Sequence, residues 1–219
     1  MGLGWLVKST MGDFTRFPST ETAKILTLGA TGALLSRMSA DPGATRFMTQ
    51  GRTLEHVFEP GETIGGAKLQ LASALATYGI GRFSGSSTVT ALGADLIRAQ
   101  ILTQTLTAGL KMSARRTRPD GTQFSFPSGH SSVSFASATV IQRHFGLKAG
   151  IPAYAMATYV AASRVQERRH FVSDVAFGAA LGITAGRTVT IGRGRASFAL
   201  SPAVVPGGGG VSFNWQGQR

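Results

Sequence analysis

Along residues 88–112 apolar side chains return at steps of three and four: Val89, Leu92, Leu96, Ala99, Leu102, Leu106 and Leu110. That period puts them on one face and predicts a helix whose stripe is buried in a core. Less regular versions of the pattern predict helices over residues 20–38, 67–78, 131–145, 151–164 and 171–189. Turn formers separate them, at Asp41-Pro42-Gly43, Glu59-Pro60-Gly61, Pro119-Asp120-Gly121 and Gly150-Ile151-Pro152. After Arg187 the texture changes: residues 188–191, 197–200 and 211–215 favour strand, and Pro206 followed by four glycines reads as a turn. The expectation is an all-α helical bundle, one domain over 1–219, with a small C-terminal β-hairpin over about 188–216. Val211, Phe213 and Trp215 alternate along that tail, as one strand face packed on the bundle would require.

Composition narrows the partners. A formal net charge of +12 on 219 residues attracts phosphate groups, anionic lipid or nucleic acid alike. The basic residues are scattered in ones and twos without interleaved aromatics, which argues against nucleic acid. The absence of cysteine removes disulfide and thiol chemistry. The longest apolar stretches, 25–35, 69–80, 149–162 and 175–185, fall short of the roughly 20 residues needed to span a bilayer. They read as buried helices of a soluble or peripheral protein, with an integral membrane protein as the alternative. At the start, only Trp5 to Val7 precede Lys8 as an apolar patch, too little for a secretory core, so the chain either stays inside or has lost a leader.

Three polar islands interrupt the helices. The first, KMSARRTRP, holds Lys111 and Arg118; Lys111 falls at a helix end, where the dipole alone would favour a cation. The second is Pro127-Ser128-Gly129-His130, with Ser128 placed to cap the next helix and Gly129 permitting close backbone approach. Free amides at such a start suit an anion, and capping explains the serine but not the histidine. The third, SRVQERRHFVSD, contains Ser163, Arg164, His170 and Asp174. A four-residue step sets His170 and Asp174 on one helical face, either as a surface ion pair or as a base with its orienting carboxylate.

Taken together and in order, Lys-x6-Arg-Pro, Pro-Ser-Gly-His and Ser-Arg-x5-His-x3-Asp resemble the signature of the type 2 phosphatidic acid phosphatase superfamily, which includes bacterial acid phosphatases and vanadium-dependent haloperoxidases. The likeness spans residues 111–174 and every signature position is filled. It implies the helical bundle of that superfamily, with the three islands brought to one end. By resemblance, Lys111, Arg118 and Arg164 hold the phosphate oxygens, with donors near Ser128 and Gly129. His170 is the nucleophile, Asp174 fixes its tautomer, and His130 protonates the leaving alcohol. The reaction implied is metal-independent hydrolysis of a phosphomonoester or diphosphate, expected to be that of a lipid, through a phosphohistidine. No cofactor is implied. Vanadate is expected as an inhibitor, or as cofactor under a haloperoxidase alternative; a non-catalytic phosphate-binding protein is the third reading. Relatives suggest the periplasmic or extracytoplasmic face, and an anionic membrane surface as a partner. Outside the signature, His144 suggests a helix-end contact, His56 a solvent-exposed or structural role, and Arg115, Arg116, Arg168 and Arg169 general electrostatics.

Overall fold

The computed structural model describes residues 1–41, 43 and 56–191, and the backbone of 196–205 and 208–217. The described helices are α1 (Leu3–Arg16), α2 (Thr20–Ser39), α3 (Pro60–Ile64), α4 (Ala67–Phe83), α5 (Ser87–Ala114), α6 (Gly129–Phe145), α7 (Leu147–Gln166) and α8 (Val172–Val189). The tail pairs β1 (Ala196–Val205) with β2 (Gly208–Gly217) antiparallel, Ala196 opposite Gly217 and Val205 opposite Gly208. The side chains of Val211, Phe213 and Trp215 lie outside the described residues.

The long helix α5 is the axis of the bundle, and residues 93–100 are buried on every side of it. Its apolar stripe does what the periodicity requires: Leu96, Ala99 and Leu102 are buried with Val140, Leu181 and Val189, and Leu92, Leu106 and Leu110 pack against that cluster. Four local expectations change. Residues 3–16 form a helix because Asp13 is drawn into a buried ion pair with Arg98 and Phe14 packs on the core. The turn expected at Glu59-Pro60-Gly61 instead opens the one-turn helix α3, with Pro60 in its first turn, where no amide bond is lost. Helix α7 runs through Pro152, since the break falls earlier, at Gly146 with φ +79°. Residues 188 and 189 finish α8 instead of starting a strand: the hydroxyls of Thr188 and Thr190 bond back to Thr184 O and Gly186 O at 2.9 and 2.7 Å, satisfying β-branched residues within a helix.

Helix α8 approaches α6 along a line of glycines. A Cβ on Gly178 would lie 2.7 Å from Ser128 O, one on Gly182 2.1 Å from Ser132 O, and one on Gly186 2.9 Å from Ala136 O. The core is accordingly built from small residues and hydroxyls. Many large apolar side chains point outward, among them Leu28 and Met38 on α2, Ile80 and Phe83 on α4, and Leu147 and Ile151 on α7. No described helix is long and apolar enough to cross a membrane.

At the far end from the signature residues, Arg98 donates to Asp13 at 2.7 Å and to Asp95 at 2.8 Å, and His144 Nε2 stands 2.9 Å from Asp95 Oδ2. His144 thus belongs to a buried ionic cluster that anchors α1 and α6 on α5, a stronger role than the helix-end contact expected of it. His56 is exposed.

The glycine line yields a stability prediction. Gly182→Ala forces backbone apart and lowers unfolding free energy by about 1–3 kcal/mol. Gly32→Ala, with nothing within 4 Å of the new methyl, is neutral or slightly stabilising. Chemical denaturation of the two variants checks the contrast.

Candidate active site

Three chain segments converge above the ends of α5, α6 and α7. Lys111 lies in the last turn of α5, as its spacing suggested. The loop that follows doubles back: Phe124 adopts a left-handed conformation, φ +68°, and its carbonyl accepts from Lys111 Nζ at 2.6 Å. Ser128 caps α6, and its own amide donates to Asp174 O at 3.0 Å. Gly129 and His130 are the first two residues of that helix. On the third segment, Arg168 with φ +57° turns the chain after α7, so that the amides of Arg169 and His170 both donate to Arg164 O, at 3.0 and 3.1 Å.

His170 and Asp174 do meet, but not on a helical face. His170 precedes α8, whose N-cap is Phe171. Asp174 reaches back to accept from Phe171 N at 2.9 Å, and this capped turn brings its Oδ2 within 3.7 Å of His170 Nδ1. That is ion-pair range, longer than a hydrogen bond. It turns Nδ1 toward the carboxylate, and Nδ1 has no hydrogen-bond partner. Asp174 also accepts from Ser125 Oγ and, at 2.7 Å, from Arg116 Nη1. Burial pushes its carboxyl up, yet His170, these hydrogen bonds and the Arg116 charge outweigh burial and hold it below the ordinary value. Asp174 is therefore a fixed anion.

Arg116 is more than general electrostatics. It donates to Ser173 Oγ and Asp174 Oδ1 at 2.7 Å each and to Asp41 Oδ2 at 2.9 Å, with its guanidinium over the Phe171 ring at 4.2 Å. Asp41 in turn accepts from Ser173 N and Oγ, at 2.9 and 2.6 Å. Sequence reading missed Arg116, Asp41 and Ser125. Arg116 hides in an arginine-rich run and Ser125 among neighbouring hydroxyls, while Asp41 lies 132 positions from Ser173 with no motif to mark it. The other flanking arginines stay peripheral: exposed Arg169 pairs with Asp120 at 2.9 Å, and Arg115 is an exposed left-handed cap.

The cations share one environment. Burial lowers the pKa of Lys111 to about 8, with the Arg118 charge adding to it. Arg164, 2% exposed, pairs with Glu167 at 2.8 Å and lies 3.8 Å from Glu62. The Nε atoms of Arg118 and Arg164 are both buried without a partner. Burial also lowers both histidines to about 4; His130 is further opposed by Arg164, His170 and Lys111, and His170 by Lys111 and Arg118. Both rings are neutral at neutral pH. Ser163 Oγ is spent on Val160 O at 2.8 Å, and it forms the seat of α3, since a Cβ on Gly61 would strike it at 2.2 Å. Among the described residues no group of His, Cys, Asp or Glu is arranged to hold a metal ion. Two neutral imidazoles in the electrostatic reach of buried guanidinium nitrogens without partners are an arrangement suited to an oxyanion.

Comparison with known proteins shows what this helical bundle and its cluster of polar residues are similar to. Residues 92–197 match the family model described as PAP2 superfamily. It is 41% identical over 80 residues to a lipid A 1-phosphatase of Porphyromonas gingivalis, covering 35% of this chain and 18% of that protein. It is 36% identical over 97 residues to a decaprenylphosphoryl-5-phosphoribose phosphatase of Mycobacterium tuberculosis, covering 39% of this chain and 53% of the other. The chain thus spans about half the length of one curated relative and under a fifth of the other. Two crystal structures share the fold, each with TM-score 0.59. Aquifex aeolicus LpxE is 21% identical over 69% of this chain and 94% of its own, and a transmembrane PAP2 type phosphatidylglycerolphosphate phosphatase from Bacillus subtilis is 24% identical over 76% and 92%.

The electrostatics predict a titration. A bound oxyanion stabilises the charged imidazolium, so the His130 pKa rises from about 4 when inorganic phosphate or vanadate binds. Lys111 loses its charge as pH climbs through about 8, so anion affinity falls above that pH. Ring NMR titration of His130 with and without vanadate, and vanadate affinity across pH 6–10, read the two effects.

Proposed function

We propose that the protein is a phosphatase that cleaves a phosphomonoester or diphosphate of a lipid alcohol through a phosphohistidine. The observation that carries the reading is the pair of unpartnered buried guanidinium nitrogens, on Arg118 and Arg164, beside neutral His170. Names of related phosphatases support it, and so does the filled signature.

In this reading the phosphoryl oxygens sit among Arg118, Arg164 and Lys111, where charge in the transition state is stabilised by groups already in place. Nε2 of His170 attacks phosphorus, and the phosphorus–oxygen bond to the alcohol breaks. The leaving oxygen takes a proton from His130, whose charged form the bound phosphate favours. The phosphorylated ring becomes positive, and Asp174, 3.7 Å from Nδ1, stabilises it. Water then gives a proton to His130 and attacks phosphorus, and His170 departs with the bonding pair. Charge stabilisation throughout is assigned to side chains of this chain, with no metal step.

The lipid part of the proposal draws on the outward-facing Leu28, Met38, Ile80, Phe83, Leu147 and Ile151 together with the net charge of +12. Exposed apolar side chains on a chain of net positive charge suit an anionic amphiphile surface. We place the protein at the extracytoplasmic face of a membrane, associated with its surface.

Phosphate release from lipid and soluble phosphates, measured with chelator present, tests the reading. His170→Ala is expected to abolish turnover, and His130→Ala to reduce kcat about 10²–10⁴-fold. Undiminished release by His170→Ala protein would overturn the assignment.

A further inference from the structure

A cavity of about 320 Å³ opens between α4, α6 and α7, within the size range of small-ligand sites. Ile64 is one of its lining residues. The next residue, Gly65, presses on the proposed acid: a Cβ there would come within 3.2 Å of His130 Cδ2. Ser134, also in its wall, follows His130 by one turn of α6, so the cavity passes close to His130. A leaving alcohol protonated by His130 would carry its body into the neighbourhood of this cavity.

The walls separate two kinds of contact. Leu96, Ile141 and Met156 are apolar; Gln70, Ser134 and Ser137 form a polar seam. Most of the seam is already satisfied. Ser137 accepts from Gln100 Nε2 at 2.9 Å and donates to Gln70 Oε1 at 2.7 Å, and Gln70 Nε2 donates to Ile64 O at 2.9 Å. Ser134 is different: it is 6% exposed and its hydroxyl has no partner. It stands four residues after His130 on the same face of α6, about 6 Å further along the axis. An unpaired buried hydroxyl on the wall of a cavity is a position where a ligand acceptor is favoured.

We propose that this cavity is the leaving-group subsite and that Ser134 selects an acylated alcohol, donating to a carbonyl oxygen about one helical turn from the phosphate, over a chain that is hydrocarbon or ether throughout. The proposal rests on the phosphatase reading and names its substrate class as acyl lipids, against polyprenyl phosphates.

The matched probes are 1-palmitoyl-glycerol 3-phosphate and 1-O-hexadecyl-glycerol 3-phosphate, which differ by one carbonyl, presented in detergent micelles to the full chain. The parent is expected to show a kcat/KM about tenfold higher for the ester than for the ether, in line with a site built to hydrogen-bond its substrate. Ser134→Ala should fold as the parent does, since it deletes an unsatisfied group, and should collapse the ratio toward one. Ala153→Phe, which narrows the cavity, should lower kcat/KM for both long-chain probes at least tenfold relative to glycerol 3-phosphate, with the thermal midpoint reporting its folding. Turnover with an ester-to-ether ratio of one in the parent, or a ratio that survives Ser134→Ala, overturns the subsite alone. No phosphate release from any of the three glycerol phosphates by the parent overturns the phosphatase reading and the subsite with it.

Discussion

Helix α8 lies so near α6 that the carbonyls of Ser128 and Ser132 occupy the space where side chains of residues 178 and 182 would project. Only glycine permits this approach, and the chemistry at the top of the bundle depends on it. Ser128, at the start of α6, donates its amide to Asp174 O in the first turn of α8. His130 and His170, brought in by two different helices, then share one environment with Lys111. A wider spacing would leave each island as an ordinary helix end.

Within that frame the site separates its charges. The anion, Asp174, is completely enclosed and held by Ser125, Phe171 N and Arg116. Arg116 is itself held by Asp41, just past the end of α2, so three helices fix one carboxylate. The histidines stay neutral because they are desolvated among cations. The cations Arg118 and Arg164 each keep a buried nitrogen unsatisfied. Such a pocket is costly when empty and favourable around an oxyanion, since the missing hydrogen bonds are those an anion supplies. Similar economy governs the far end of α5, where Asp13, Asp95, Arg98 and His144 satisfy one another and leave nothing for a ligand.

Much of this was legible in the order of residues. The period of α5, the cap at Ser128 and the ordered signature pointed to a bundle whose polar islands meet. The contacts that the sequence concealed are those between distant positions or those that depend on backbone turns. Asp41 has no local feature that distinguishes it from a turn residue, and Arg116 looks like one more solvated cation. His170 and Asp174 have the spacing of a helical face, but the helix begins between them, and an N-terminal cap brings them together instead. Helix α1 was hidden for a related reason: its anchoring interaction is with Arg98, 85 positions away.

On the proposed mechanism these converging segments make His170 the acceptor of the phosphoryl group. Trapping phosphorus on the protein tests this most directly. His130→Ala protein, incubated with a phosphate ester, quenched in alkali and mapped by mass spectrometry, is expected to carry one phosphoryl group on His170. Phosphate on another residue, or turnover with no phosphorylated peptide in parent or variant, would contradict it.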